Sequence, residues 1–389
     1  MASSDIQPES PINPPKPAPR PGPRPGPGPQ HGTTPGTAPA PVTRAALTGP
    51  IRAAVIGYGL SGRVFHAPFL AANPDFTLAA IVTGDAERAE RASQSYPGVR
   101  IVPGSEALFA QAADLDLVVI GTPPETHVAL ANAALDAGLA VVIDKPFSVD
   151  SEQGWALVNR ADSLGLPLTV FQNRRWDGDF LTLRALLGTG ALGDVYTFES
   201  RFEFFKPGPP RSWKAAATPS AGGGVLFDLG AHLIDQAVQL FGPVDDVTAE
   251  LNIRRPDGVA DDDTFVSLHH GSGVRSHLWM SSFTAQAGPR YRVLGSAAAY
   301  VKWGLDGQEA AIQAGNLPGD PGFGIEPEST WGRLGADGAT QAVPALPGQY
   351  VAFYAALAHA LLRGGPLPVE PGDAVRTIEL IERIHNAAR

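Results

Sequence analysis

The stretch from Arg52 to Ala72 constrains this chain more than any other. A short apolar run, Arg52-Ala53-Ala54-Val55-Ile56, leads at once into Gly57-Tyr58-Gly59-Leu60-Ser61-Gly62, and a helical pattern follows from about Arg63 to Ala72. Strand, G-x-G-x-x-G and helix in that order form the context in which such glycines are informative. Gly57 permits a tight turn, Gly59 lets the backbone approach a pyrophosphate, and Gly62 lets helix and strand pack closely. Free N–H groups at the helix start favour the phosphates. The flanks therefore point to dinucleotide binding by residues 57–62 rather than to an ordinary Gly-rich turn.

The alternation continues. Thr77-Leu78-Ala79-Ala80-Ile81-Val82 reads as a second strand and Ala86–Tyr96 as a helix. Leu117-Val118-Val119-Ile120-Gly121 is apolar throughout, as a strand covered on both faces is. His127–Ala137 reads as a helix stopped by Gly138, Ala140–Ile143 as a strand, Glu152–Leu164 as a helix stopped by Gly165, and Leu168–Phe171 as the closing strand. This rhythm predicts a doubly wound parallel sheet, an α/β Rossmann domain over residues 51–171.

Cofactor choice turns on the tip of the second strand. An acidic residue about 20 positions beyond the glycines would bind the ribose 2′-OH and repel a 2′-phosphate. Here Thr83-Gly84 stands at the tip, Asp85 lies beyond it as a candidate N-cap, and Arg88 is placed to reach a 2′-phosphate. The reading is NADP, with NAD kept as the alternative through Asp85.

The second half has another texture. Val195–Phe205, Val247–Ile253, Thr264–His269, Arg275–Ser282 and Tyr291–Gly295 have strand character with little helix between them, and Val225–Leu240, Tyr350–Leu362 and Ala374–Ala387 read as helices. The spacing predicts an α+β domain with a mainly antiparallel open sheet over residues 172–389.

Composition narrows the partners. Residues 1–50 hold 15 of the 38 prolines, which predicts a disordered Pro/Gly-rich tail without the apolar region of an export signal. The net charge of −10 argues against nucleic acid. No apolar run of about 18 residues occurs, so no membrane span is expected. With no cysteine the chain has no thiolate chemistry, and a reducing, cytoplasmic setting is expected.

Three places carry candidate chemistry. Asp144-Lys145-Pro146 follows a core strand at the carboxyl edge of the sheet, where ligands bind; Lys145 there is either a substrate-hydroxyl contact or a surface lysine in a turn. After Gly222-Gly223-Gly224, Asp228 and His232 stand at i and i+4 on one helix, a carboxylate and an imidazole suited to proton transfer, or a plain surface pair. Asp235 is placed to orient His232. A zinc reading lacks a third clear ligand, so no metal is expected. Gln172-Asn173-Arg174-Arg175-Trp176-Asp177 follows the last strand, where Asn173, Arg174 and Trp176 either line a polyol pocket or serve interdomain salt bridging.

From about residue 51 onward the sequence resembles the glucose–fructose oxidoreductase/inositol dehydrogenase/rhizopine-catabolism (Gfo/Idh/MocA) family. The likeness rests on Gly57-x-Gly59-x-x-Gly62, Thr122-Pro123-x-x-x-His127, Lys145-Pro146 and the Gly-Gly-Gly…Asp228-x-x-x-His232 helix. Phe65-His66-Ala67-Pro68, the run from Asn173 to Thr182 and Gly304–Glu309 look most like the NADP-dependent scyllo-inositol dehydrogenases within it. The resemblance implies hydride transfer between nicotinamide and a sugar or cyclic polyol. It implies that Lys145 holds the substrate hydroxyl and the nicotinamide ribose, that His232 is the general base or acid, and that Asp228 supports it. Thr122, Pro123, His127 and Asp144 would join the cofactor site. The family usually has Glu where this chain has Asp144. A homodimer or homotetramer is implied, paired through the open face of the second sheet. The family also holds non-catalytic NADP-binding regulators, and this is the alternative function; retention of both Lys145 and His232 favours the enzyme.

Overall fold

Every residue of Leu117–Ile120 is buried, and so are all but one of Ile51–Ile56, because helices cover both faces of the sheet they enter. The structure is a computed structural model that describes residues 49–208 and 217–388. The expectation for the tail, residues 1–50, therefore falls outside the described residues except at Gly49 and Pro50. The first sheet has six parallel strands: β1 (Ile51–Ile56), β2 (Phe76–Val82), β3 (Arg100–Val102), β4 (Leu117–Ile120), β5 (Ala140–Asp144) and β6 (Leu168–Phe171). Their order is β3-β2-β1-β4-β5-β6. The order reverses between β1 and β4, and the crevice beyond their carboxyl ends is where such folds bind ligands.

The helices of this half are α1 (Ala67–Ala72), α2 (Ala86–Ser95), α3 (Ser105–Phe109), α4 (His127–Asp136) and α5 (Ser151–Leu164). Local chemistry sets their ends. Asp85 caps α2 by accepting the Arg88 N–H at 2.8 Å, and Asp150 caps α5 by accepting that of Gln153 at 2.7 Å. Gly165, at φ 64°, ends α5 in the left-handed region. The chain between the glycine turn and α1, Ser61–His66, winds as a π-helical turn. The short pieces β3 and α3 escaped the sequence reading, being too brief for a periodic signal.

The second sheet is the expected α+β layer. Its eight strands are β7 (Val195–Glu203), β8 (Val244–Asn252), β9 (Asp263–His270), β10 (Arg275–Ser281), β11 (Tyr291–Gly295), β12 (Ala299–Lys302), β13 (Gly332–Ala336) and β14 (Ala339–Val343), ordered β14-β13-β12-β11-β7-β10-β9-β8. All neighbours are antiparallel except β7 with β10. The strands β12, β13 and β14 were not foreseen; they are only four or five residues long, and β14 is mostly exposed. The helices here are α6 (Gly178–Gly188), α7 (Ala231–Phe241), α8 (Gln308–Gln313), α9 (Tyr350–Arg363) and α10 (Pro371–Ala387). Phe353, Tyr354 and Leu357 of α9 pack back into the core of the first sheet. Helix α10 ties the cores together, with Val375 in the first and Ile378, Ile381 and Ile384 in the second. Among the described residues no helix is long and apolar enough to cross a membrane.

Candidate active site

One cleft of about 790 Å³ opens beyond the carboxyl ends of the first sheet. That lies within the roughly 300–1,000 Å³ usual for small-molecule and cofactor sites. The glycine turn forms one wall. Gly57 sits at φ 94°, and a Cβ there would lie 2.8 Å from the Gly121 carbonyl oxygen. A Cβ on Gly62 would come within 2.0 Å of the Gly57 carbonyl oxygen, so this glycine is an obligate packing position and does not itself line the cleft. Gly59 is different: the nearest atom to a Cβ there is the Arg88 guanidinium at 3.9 Å, which leaves backbone open to the cleft. Gly62→Ala is expected to distort the turn and to weaken dinucleotide binding at least tenfold, read by fluorescence titration with NADPH; unchanged affinity would contradict the packing account.

The open backbone at Gly59 fits a nucleotide diphosphate bound along the turn. Gly57, Tyr58, Gly59, Leu60, Ser61, Thr83, Gly84, Arg88, Thr122, Pro123, Asp144 and Lys145 all line the cleft. Asp85 does not; its carboxylate is spent on the α2 cap. Ser61 Oγ donates to Asp144 Oδ2 at 2.5 Å, and the other carboxylate oxygen accepts the Lys145 N–H at 2.8 Å. Burial alone would raise the Asp144 pKa, but His66, Ser61 and Lys145 bring it down to about 2.

The opposite wall comes from the segment after Gly224. Gly224, at φ 96°, lies against the buried Asp261, whose carboxylate accepts the N–H of Leu226 at 2.8 Å. Leu226–Gly230 then winds as a π-helical turn before α7 begins, and the Ala231 N–H reaches back to the Leu226 carbonyl. Single π-turns inside helices recur at functional sites. Here the turn presents the Asp228 carbonyl as well as its side chain. Lys145 Nζ donates to that carbonyl at 2.6 Å and to Asp228 Oδ1 at 2.9 Å. The two constellations that were separate in the sequence are thus one, with the buried His232 lining the same cleft one turn along.

Several expectations need correction. His127 was expected at the cofactor, but it does not line the cleft. Its buried ring lies between two carbonyl oxygens, that of Thr122 2.8 Å from Nε2 and that of Pro146 2.9 Å from Nδ1, at the junction of the β4 tip with the Lys145-Pro146 turn. Burial pushes its imidazole below the usual range. Trp176 was expected at the substrate, but its indole packs against Phe353, ring centroids 5.5 Å apart, and stays off the cleft. An indole carries too much apolar surface to be left out of a neighbouring core. Asp235, expected to orient His232, gives its carboxylate to the Arg175 fork at 2.6 and 2.9 Å. A bidentate guanidinium is the stronger claimant.

Asn173 and Arg174 do line the cleft. Arg174 is buried, lies 4.6 Å over the Phe202 ring, and pairs with Asp177 at 3.2 Å and Glu309 at 3.4 Å. The neighbouring Arg175 serves the salt bridging instead, reaching Asp235 and Asp373. Sequence reasoning missed Phe202, Phe204, Lys206, Leu305 and Glu309, which also line the cleft. Of these, only Leu305 and Glu309 had a signal, through the Gly304–Glu309 stretch.

Comparison with known proteins agrees with this fold. Residues 51–172 match the oxidoreductase family with an NAD-binding Rossmann fold, and residues 180–301 match the GFO/IDH/MocA C-terminal domain. The chain belongs to the Gfo/Idh/MocA oxidoreductases. Within that family it is 33% identical over 336 residues to the scyllo-inositol 2-dehydrogenase (NADP(+)) IolW of Bacillus subtilis, covering 85% of this chain and 92% of that one. It is 40% identical over 334 residues to YdgJ of Escherichia coli, an oxidoreductase of uncharacterised activity, covering 85% and 94%. The solved structure of yvaA from Bacillus subtilis superposes with a TM-score of 0.83 at 31% identity, covering 88% of this chain and 97% of that one.

Proposed function

We propose that this protein is an NADP-dependent dehydrogenase of sugars or cyclic polyols, with inositols and their ketones as the first substrates to try. The carrying observation is the Lys145 ammonium, held on the Asp228 carbonyl and carboxylate beside His232, in the cleft onto which the glycine turn opens. IolW, an NADP(+)-dependent scyllo-inositol 2-dehydrogenase, supports the same choice. When bound, the nicotinamide accepts or gives the hydride. The chain's own residues do the rest. Lys145 donates a hydrogen bond to the substrate oxygen and stabilises negative charge there. His232 takes the hydroxyl proton in oxidation and returns it in reduction, a role imidazole fills near neutral pH. Asp228 keeps Lys145 aimed through its carbonyl and carboxylate. Asn173, Arg174 and Glu309 supply polar contacts for the remaining hydroxyls.

Preference for NADP rests on Thr83, Gly84 and Arg88 at the cleft, with Asp85 turned to its cap. A guanidinium–phosphate hydrogen bond contributes about 1.5–3 kcal/mol. Arg88→Ala is therefore expected to weaken NADPH about tenfold or more and to leave NADH nearly unchanged, measured by fluorescence titration. Equal loss for both cofactors would overturn the assignment. The proposal extends to a cytoplasmic homodimer or homotetramer. Phe265 and Trp279 stand 5.0 Å apart on the face of the second sheet opposite its helices, beside Arg201 stacked 3.9 Å over Trp279. Light scattering on the protein and on Trp279→Glu tests that face. The deciding experiment for function is consumption of NADPH with scyllo-inosose and a panel of ketoses; tight cofactor binding without turnover of any cyclic polyol, sugar or ketone would count against it.

A further inference from the structure

His66 is wholly buried, titratable and unused by the chemistry above. It ends the π-helical turn after the glycines, with its ring edge-on to Phe171 at 4.8 Å. One side of the imidazole faces Asp144: Nε2 lies 3.8 Å from Oδ2. On the other side Nδ1 lies 2.7 Å from the hydroxyl of Tyr354, which α9 brings in from the far end of the chain. Tyr354 is also wholly buried. Burial, aided by the Asp144 charge, pushes its phenol well above the usual range, so the hydroxyl keeps its proton. With Nδ1 engaged by that hydroxyl, Nε2 makes no hydrogen bond of its own and faces the Asp144 carboxylate across 3.8 Å. Gly121 keeps the passage open, since a Cβ there would meet Ser61 Oγ at 2.7 Å and the His66 ring at 3.3 Å.

We propose that His66, oriented by Tyr354, is a positioning residue for Lys145. Its ring backs the Asp144 carboxylate, by packing and electrostatics at 3.8 Å, where that one group ties the glycine turn, through the Ser61 hydroxyl, to the backbone of the catalytic lysine. The inference rests on the reading of Lys145 as the group that meets the substrate. Neither His66 nor Tyr354 lines the cleft, so both act only through Asp144. Buried polar chains of this kind are sensitive to the loss of any member. Outer groups that orient an active residue typically change activity about 10–100-fold when removed, as at metal centres.

The test uses the full chain and three variants: His66→Leu, His66→Gln, whose amide N–H can replace Nε2, and Tyr354→Phe, which removes one hydroxyl. The first readout needs no substrate. Acetic anhydride labelling of Lys145 is followed by peptide mass spectrometry, with the exposed Lys206 as internal standard. His66→Leu and Tyr354→Phe are expected to speed Lys145 labelling about threefold or more relative to Lys206, and His66→Gln to restore most of the protection. The second readout is turnover: kcat is expected to fall about tenfold or more in His66→Leu, with substrate KM changed less, and to recover in His66→Gln. Wild-type labelling in both His66→Leu and Tyr354→Phe, or a glutamine no better than leucine, overturns the proposal. Should His66→Leu fail to fold, the Tyr354→Phe labelling decides alone. Full turnover in Lys145→Ala would sink the proposed function instead, which separates the two failures.

Discussion

Lys145→Ala is expected to lower kcat for the best sugar or polyol substrate by about 10²–10⁴-fold while NADPH binding stays close to that of the parent. The range is that of one positioned proton-transfer or charge-stabilising group. The ammonium does two things in the cleft: it donates to the substrate oxygen, and it neutralises Asp228, to which it is bonded at 2.9 Å. Alanine removes both and leaves a carboxylate where negative charge must develop on the substrate. His232→Ala is expected to fall in the same range, because the hydroxyl proton must leave as the hydride leaves. The two losses need not add, since the groups act on one oxygen. Steady-state rates for each variant, with NADPH affinity by fluorescence, provide the check. Wild-type kcat in His232→Ala would remove its proton-transfer role; lost NADPH binding in Lys145→Ala would make the lysine a cofactor anchor.

The largest expected effect on stability is that of Arg290→Met, about 3–5 kcal/mol. Arg290 is buried, and its guanidinium binds Asp179 at 3.1 Å, Ser200 Oγ and the Arg201 carbonyl at 3.1 Å, and Gln236 Oε1 and the Tyr291 hydroxyl at 2.9 Å. Asp179 is wholly buried and its Oδ1 has no hydrogen-bond partner, so loss of the cation strands a charge in the protein interior. Breaking a buried pair from one side costs far more than replacing both members. Urea unfolding of Arg290→Met and of Arg290→Met/Asp179→Leu separates these cases. The double variant is expected to recover a large part of the loss. A single variant within about 1 kcal/mol of the parent would overturn the buried-pair account.

The first half of the fold was legible because its signals are local. A strand of buried apolar residues, a glycine turn and a helix cap are each decided within a few positions of chain. Gly62 had to be glycine for a contact only five residues away, and Asp85 for a cap three residues away. The strands β12, β13 and β14 were illegible because pieces of four or five residues are too short for a periodic signal; their neighbours in the sheet select them. The site divides in the same way. Residue types at the turn, at Lys145 and at His232 stand in the sequence, and so does the family they belong to.

Only the tertiary structure decided which of them meet. Lys145 and Asp228 lie 83 positions apart, and no spacing rule predicts that the π-turn would offer the lysine both a carbonyl and a carboxylate. The same packing sent His127, Trp176 and Asp235 elsewhere. A buried imidazole between two carbonyls, an indole against Phe353 and a carboxylate in a guanidinium fork are the stronger local bargains once the two sheets are docked. Short-range sterics and hydrogen bonds write the turn and its caps into the chain. Long-range contacts depend on how the two sheets come together, and these alone set which polar groups face the cleft.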